Sequence, residues 1–160
     1  WLYERVAAVL ARVLAEPVGY AEALSLPGFH IFESTKAFEE PIGVIHFDLQ
    51  YLLHDWQGQV AELDNPLSFT LAITLPRRGG GLNTWNVSHA DWVAHPGETP
   101  ADLARRHSAG YHAYQRGHLA LHSGHLMHQI APAIDMQPDD ERITLQGHGV
   151  RADGVWRLYW

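Results

Sequence analysis

Apolar positions recur along this chain in two rhythms. At the start, Leu2, Val6, Val9, Leu10, Val13 and Leu14 return at helical spacing, with Glu4, Arg5, Arg12 and Glu16 between them. That period predicts an amphipathic helix, stopped by Pro17, which cannot continue one. After Gly28 the rhythm changes. The runs FHIFES (29–34), GVIHFDL (43–49), LSFTLAITL (67–75), GHLALH (117–122), HLMHQIA (125–131), RITLQGHGV (142–150) and VWRLYW (155–160) are short and rich in β-branched and aromatic residues. LDNP, PRRGGG, HPGETP, HSG and MQPDD punctuate the gaps. Short strands with frequent turn signals predict a mainly β chain, a sandwich or barrel. One more helix is expected near 100–108, with Thr99 as N-cap, Pro100 in the first turn and Asp102 as capping partner. There is no repeat and no low-complexity segment.

Composition narrows the picture. The chain has 160 residues, the size of one domain with one core, expected over 1–160. Acidic residues outnumber basic ones by 18 to 11, and the net charge of −7 argues against a nucleic-acid groove, which needs clustered Lys and Arg. No apolar run is long enough to span a membrane. Glu4, Arg5 and Arg12 interrupt the apolar start, so no secretory leader is expected. The chain opens on Trp1 rather than Met, as expected of a trimmed or partial version of a longer product. Cys is absent, so there are no disulfides, and any metal must be held by His, Asp or Glu. A cytoplasmic location is expected. The 12 His residues make a metal worth seeking.

The run 43–49 carries the first candidate chemistry. In a strand, residues two apart face the same side, so His46 and Asp48 project together while Ile45 and Phe47 face away. An unpaired carboxylate in an apolar interior is costly, and a bound cation removes that cost. Imidazole plus carboxylate is two thirds of the 2-His-1-carboxylate set that binds non-haem Fe(II). A third ligand must come from another strand. His128 lies on a strand-like segment with Leu126 and Ile130 on its face; His122 and His125 compete with it, at the shoulders of an expected hairpin corner at HSG. Arg142 and Thr144 share a face by the same period, and guanidinium plus hydroxyl form a carboxylate clamp. His54 and Asp55 are adjacent, point to opposite faces, and do not read as a metal pair.

Other groups read more plainly. Gly79, Gly80 and Gly81 form a turn, since no GK[ST] follows them to make a phosphate loop. Arg77 and Arg78 read as solvated turn charges. Trp85 reads as structural, and Tyr51, Trp56 and Trp92 as either pocket walls or packing.

The order HFD (46–48), TLPRRGGGL (74–82), HQIAP (128–132) and RIT (142–144) resembles the Fe(II)- and 2-oxoglutarate-dependent oxygenases, particularly their prolyl-4-hydroxylase-like branch. The resemblance covers roughly 28–160. It implies a double-stranded β-helix, or jelly roll, with a helical N-terminal segment (1–27) packed on a β core (28–160). It implies His46, Asp48 and His128 as iron ligands, Arg142 as partner of the distal carboxylate of 2-oxoglutarate, and Thr144 as its helper. The expected activity is hydroxylation of an unactivated C–H bond of a small molecule or peptide side chain, consuming O2 and yielding succinate and CO2. The carboxylate at position 48 favours hydroxylation over halogenation. The interval from His128 to Arg142 is longer than that family pattern. Two rival readings are a cupin-like metalloenzyme that does not use 2-oxoglutarate and a non-catalytic jelly-roll binding module. Substrate identity and oligomeric state are not legible here.

Overall fold

The amphipathic N-terminus folds as a helix, α1 (Leu2–Leu14), closed by Ala15 in the left-handed conformation (φ 56°). The structure, a computed structural model, describes residues 1–56 and 61–160. Val6 and Leu10 on the inner face of α1 are buried against Leu67, Phe69, Leu145, Trp156 and Leu158. Full burial of side chains of this size stabilises by about 1.5–3 kcal/mol each. None of the described helices is long and apolar enough to cross a membrane.

Among the described residues nine strands follow: β1 (Val18–Tyr20), β2 (Gly28–Phe32), β3 (Ala61–Thr74), β4 (Leu82–Ser88), β5 (Ala109–His112), β6 (Leu119–Ser123), β7 (Leu126–Ile130), β8 (Arg142–Ala152) and β9 (Val155–Tyr159). The larger sheet runs β1-β9-β8-β3-β6, with β2 also paired to β8. It is mixed, since β1 joins β9 in parallel and the other pairs are antiparallel. The smaller sheet, β5-β4-β7, is antiparallel. Two short helices, α2 (His89–Val93) and α3 (Pro100–Ala104), follow β4. Each starts with a reciprocal capping box, Ser88 with Asp91 and Thr99 with Asp102. The second box starts the expected helix at 100, which ends at Ala104, four residues short of the expected 108.

Period-two alternation sorts both sheets into a packed face and a polar face. On β3, Leu67 and Phe69 meet α1, while Ser68 and Thr70 line a cavity. On β8, Leu145 meets α1, while Gln146 and His148 line that cavity. Met127 of β7 packs with Phe47, Trp85, Val87 and Leu103 in a second core, and His128 lines the cavity.

Two expectations need correction. Residues 43–49 do not form a strand; the segment makes one isolated antiparallel bridge, His46 with His128. Its backbone bonds reach His128 and Gly124, but the Gly43 carbonyl is taken by the Gln129 side chain at 2.6 Å, so no ladder extends. Nor is HSG a hairpin corner. β6 pairs with β3 and β7 with β4, so Ser123–His125 carries the chain from one sheet to the other. Gly124 suits this passage: a Cβ there would lie 3.1 Å from the Asp48 carbonyl oxygen.

Candidate metal centre

His46 and Asp48 come from the bridge segment and His128 from β7. One ligand atom from each lies within 4.8 Å of the others. The alternation that sends His46 and Asp48 into the cavity puts Ile45 and Phe47 in the second core. His46 Nε2 is 3.4 Å from Asp48 Oδ1, and His128 Nε2 is 3.3 Å from Asp48 Oδ2. Asp48 and His128 are buried, with side chains only 7% and 6% exposed, whereas His46 is 40% exposed, so the group opens to solvent on its side.

Backbone carbonyls set the tautomers. His46 Nδ1 lies 2.7 Å from the Val44 carbonyl and His128 Nδ1 lies 2.8 Å from the Leu126 carbonyl. A carbonyl only accepts, so each Nδ1 carries hydrogen and each Nε2 is left to bind a cation.

The electrostatics agree. Burial pushes His128 down to about 4, against the attraction of Asp48, so it is neutral near pH 7. Burial also opposes charge on His46, but hydrogen bonds to Asp48 and the Val44 carbonyl outweigh it and raise its pKa. Burial would raise the Asp48 carboxyl; His46, His128, His148 and the Ser68 hydroxyl together hold it well below the usual carboxylate range.

Arg142 is fully buried. Its Nε donates to the Gly80 carbonyl at 2.9 Å and its Nη1 to Thr144 Oγ1 at 3.2 Å. Its Nη2 is buried without a hydrogen-bond partner among the described residues. The glycine turn therefore anchors the guanidinium. A Cβ on Gly79 (φ 76°) would meet the Pro132 carbonyl oxygen at 2.4 Å. Tyr114 and Gln146 line the cavity in front of this pair: the guanidinium carbon lies 5.7 Å from the Tyr114 ring centre, and Gln146 Nε2 donates to Thr144 Oγ1 at 3.1 Å. The Tyr114 hydroxyl is itself buried beside Thr70, with no partner that meets hydrogen-bond geometry among the described residues. Burial raises its pKa.

The cavity encloses about 240 Å³ and runs from the three candidate ligands to Tyr114 and Gln146, with Ser68, His122, His148 and Trp160 in its walls. His122 sits beside His128, ring centres 4.6 Å apart, its Nδ1 on the Ser123 carbonyl. His125 is elsewhere, with Nε2 2.6 Å from the Tyr51 hydroxyl. Trp85 and Tyr51 are core residues, and Trp92 stacks on Phe47. Arg77 is not merely a solvated turn charge, since it pairs with Asp139 and the buried Asp140. Sequence reasoning missed Ser68, Tyr114, Gln146 and His148. Parity was a usable signal for two of them, because 146 and 148 share the face of Arg142 and Thr144.

No protein-family profile matches this chain, and no curated protein does. Solved structures do. One is an N-substituted L-amino acid dioxygenase from Burkholderia ambifaria, 16% identical, TM-score 0.54, matched over 84% of this chain and 53% of its own. Another is such a dioxygenase from the same organism in complex with α-KG (2-oxoglutarate), 14% identical, TM-score 0.52, over 99% and 68%. This chain thus spans about half the length of the first. The likeness is one of fold.

Proposed function

We propose that this chain is an Fe(II)- and 2-oxoglutarate-dependent oxygenase of the prolyl-4-hydroxylase-like branch, a single jelly-roll domain over 1–160. It hydroxylates an unactivated C–H bond of a small molecule or peptide side chain in the cytoplasm, with succinate and CO2 as coproducts. The observation that carries the reading is the convergence of His46, Asp48 and His128, with both Nδ1 atoms on backbone carbonyls and both Nε2 atoms turned to Asp48. Two imidazoles, which ligate through a deprotonated Nε2, and a carboxylate suit Fe(II) and leave coordination positions open. Arg142 Nη2, without a hydrogen-bond partner among the described residues, and the buried Tyr114 hydroxyl suit the distal carboxylate of 2-oxoglutarate. The dioxygenase fold shared with a 2-oxoglutarate complex supports the same reading.

His46, Asp48 and His128 would hold the iron, which when bound supplies O2 activation coupled to decarboxylation of 2-oxoglutarate. The protein's own residues orient and exclude. Arg142 and Thr144 would fix the cosubstrate's far end, once Tyr114 and Gln146 yield enough room for a carboxylate to reach Nη2. Apolar walls, the buried Leu82 and the half-buried Ile130 among them, would keep water from that side of the pocket, opposite the open side at His46.

A second reading, a cupin-like metalloenzyme without 2-oxoglutarate, draws on one observation: Arg142 has no exposed surface. Succinate release from 2-oxoglutarate by the Fe(II)-loaded protein, without added substrate and then across a substrate screen, separates the two. The oxygenase reading predicts release that is lost in His46→Ala. Iron binding with no succinate formed under any condition supports the second reading.

A further inference from the structure

Ser68 is 3% exposed, and its Oγ lies 2.6 Å from Asp48 Oδ2 and 3.3 Å from His148 Nδ1. Ser68 and His148 are register partners across β3 and β8, which turns both toward Asp48. The direction of these bonds follows from the inventory of donors. An ionised carboxylate only accepts, so the serine hydrogen lies toward Oδ2. Ser68 Oγ is then an acceptor toward His148, and His148 Nδ1 carries hydrogen. The chain of donation runs from His148 to Ser68 to Asp48. The imidazole is held in that orientation by Trp160, stacked at 5.2 Å between ring centres and 12° between planes.

This arrangement acts on the carboxylate. Asp48 has two oxygens that could face a cation. Ser68 engages Oδ2, which His128 Nε2 also approaches at 3.3 Å, leaving Oδ1, 3.4 Å from His46 Nε2, as the oxygen without a hydroxyl donor. A carboxylate so fixed cannot rotate freely about its last bond or offer both oxygens equally.

We propose that Ser68 is a positioning residue for the metal centre, its hydroxyl holding the Asp48 carboxylate to one oxygen for the cation and leaving the other positions open. The inference rests on the metal reading of His46, Asp48 and His128. It requires no contact between Ser68 and the cation, and it gives His148 a defined place as the donor that orients the serine. Outer partners of this kind change metal affinity by about 10–100-fold when removed.

The test titrates Mn(II) calorimetrically, without cosubstrate, into the wild type, Ser68→Ala, Ser68→Thr and Ser68→Val, each first checked for folding by its thermal midpoint. Threonine and valine have nearly the same shape and differ in the hydroxyl, so the pair remains informative if the alanine variant does not fold. The expected result is wild-type-like affinity in Ser68→Thr and about 10–100-fold weaker binding in Ser68→Val and Ser68→Ala. Equal affinity in the threonine and valine variants overturns the proposal, even if both are less stable than the wild type, because a merely structural serine would move the midpoint and not the affinity. A wild type that binds no Mn(II) overturns the metal reading and this inference with it; a wild type that binds, with indifferent Ser68 variants, overturns the inference alone.

Discussion

Two hydrogens decide the character of the candidate centre. By placing them on the Nδ1 atoms of His46 and His128, the Val44 and Leu126 carbonyls leave both Nε2 atoms facing the only buried carboxylate among the cavity-lining residues described, Asp48. Asp48→Ala removes the one anionic candidate ligand, and we expect it to weaken Mn(II) binding by at least 100-fold, about 2.7 kcal/mol, read by calorimetry. Arg142 is proposed for a different task. Its Nη2 has no described partner, and charge-assisted hydrogen bonds are worth about 1.5–3 kcal/mol each. Arg142→Met is therefore expected to raise the Kd for 2-oxoglutarate about 10–100-fold in the metal-loaded protein while leaving Mn(II) affinity nearly unchanged. Arg142→Lys should not restore cosubstrate binding, since an ammonium lacks the planar fork that now spans Gly80 and Thr144. Competition by 2-oxoglutarate against a fluorescent analogue checks both; wild-type Kd in Arg142→Met would remove Arg142 from the account.

Elements set those residues in place, and two element-scale predictions follow from the turn and the helix. Gly79 needs its left-handed φ and close approach to Pro132, so Gly79→Ala is expected to lower stability by about 1–3 kcal/mol from backbone strain alone, with the clash added. The adjacent Gly80 carbonyl anchors Arg142, so cosubstrate affinity should fall with it; denaturant unfolding and a binding titration on one preparation measure both. The docking of α1 depends on Tyr20, whose hydroxyl donates to the Tyr3 carbonyl. Burial, with Tyr3 as a lesser cause, pushes its pKa up from 10.0 to about 12. Above pH 10 the unfolded chain gives up the phenolic proton before the folded one does, so stability falls as pH rises toward about 12. Tyr159 is shifted in the same direction by burial and adds to this slope. Tyr20→Phe should start less stable, by about 1 kcal/mol for the lost hydrogen bond, and lose less across that window; parallel melting curves from pH 9 to 12 test it.

For the whole molecule, the legible part of the sequence was period and spacing. Helical period located α1, and period two foretold that His46 and Asp48 would face one way with Ile45 and Phe47 the other. It did so although no strand forms there, because an extended backbone alternates with or without a ladder. What stayed hidden was pairing. Nothing in FHIFES or RITLQG states that β2 and β8 are neighbours, or that β6 and β7 belong to different sheets. Strand β4 was missed because Asn83, Thr84 and Asn86 break its apolar signal, and β5 because AGYH is exposed along its length. Ser68 and Tyr114 became visible only when long-range register brought them to the cavity. A cation would join the separately placed candidate ligands, so metal loading should raise the thermal midpoint as ligand linkage requires, about 2.7 kcal/mol of stabilisation at one hundred times the Kd.

The central claim is that one cation is held jointly by residues 46, 48 and 128 with room beside it for a dicarboxylate. A crystal structure of the protein grown anaerobically with Mn(II) and 2-oxoglutarate, phased to show manganese by its anomalous signal, tests this most directly. The account predicts a single strong peak bonded to His46 Nε2, Asp48 and His128 Nε2, with 2-oxoglutarate beside it and its far carboxylate on Arg142. A peak bonded to other residues, or an ordered dicarboxylate that leaves Arg142 untouched, would contradict it.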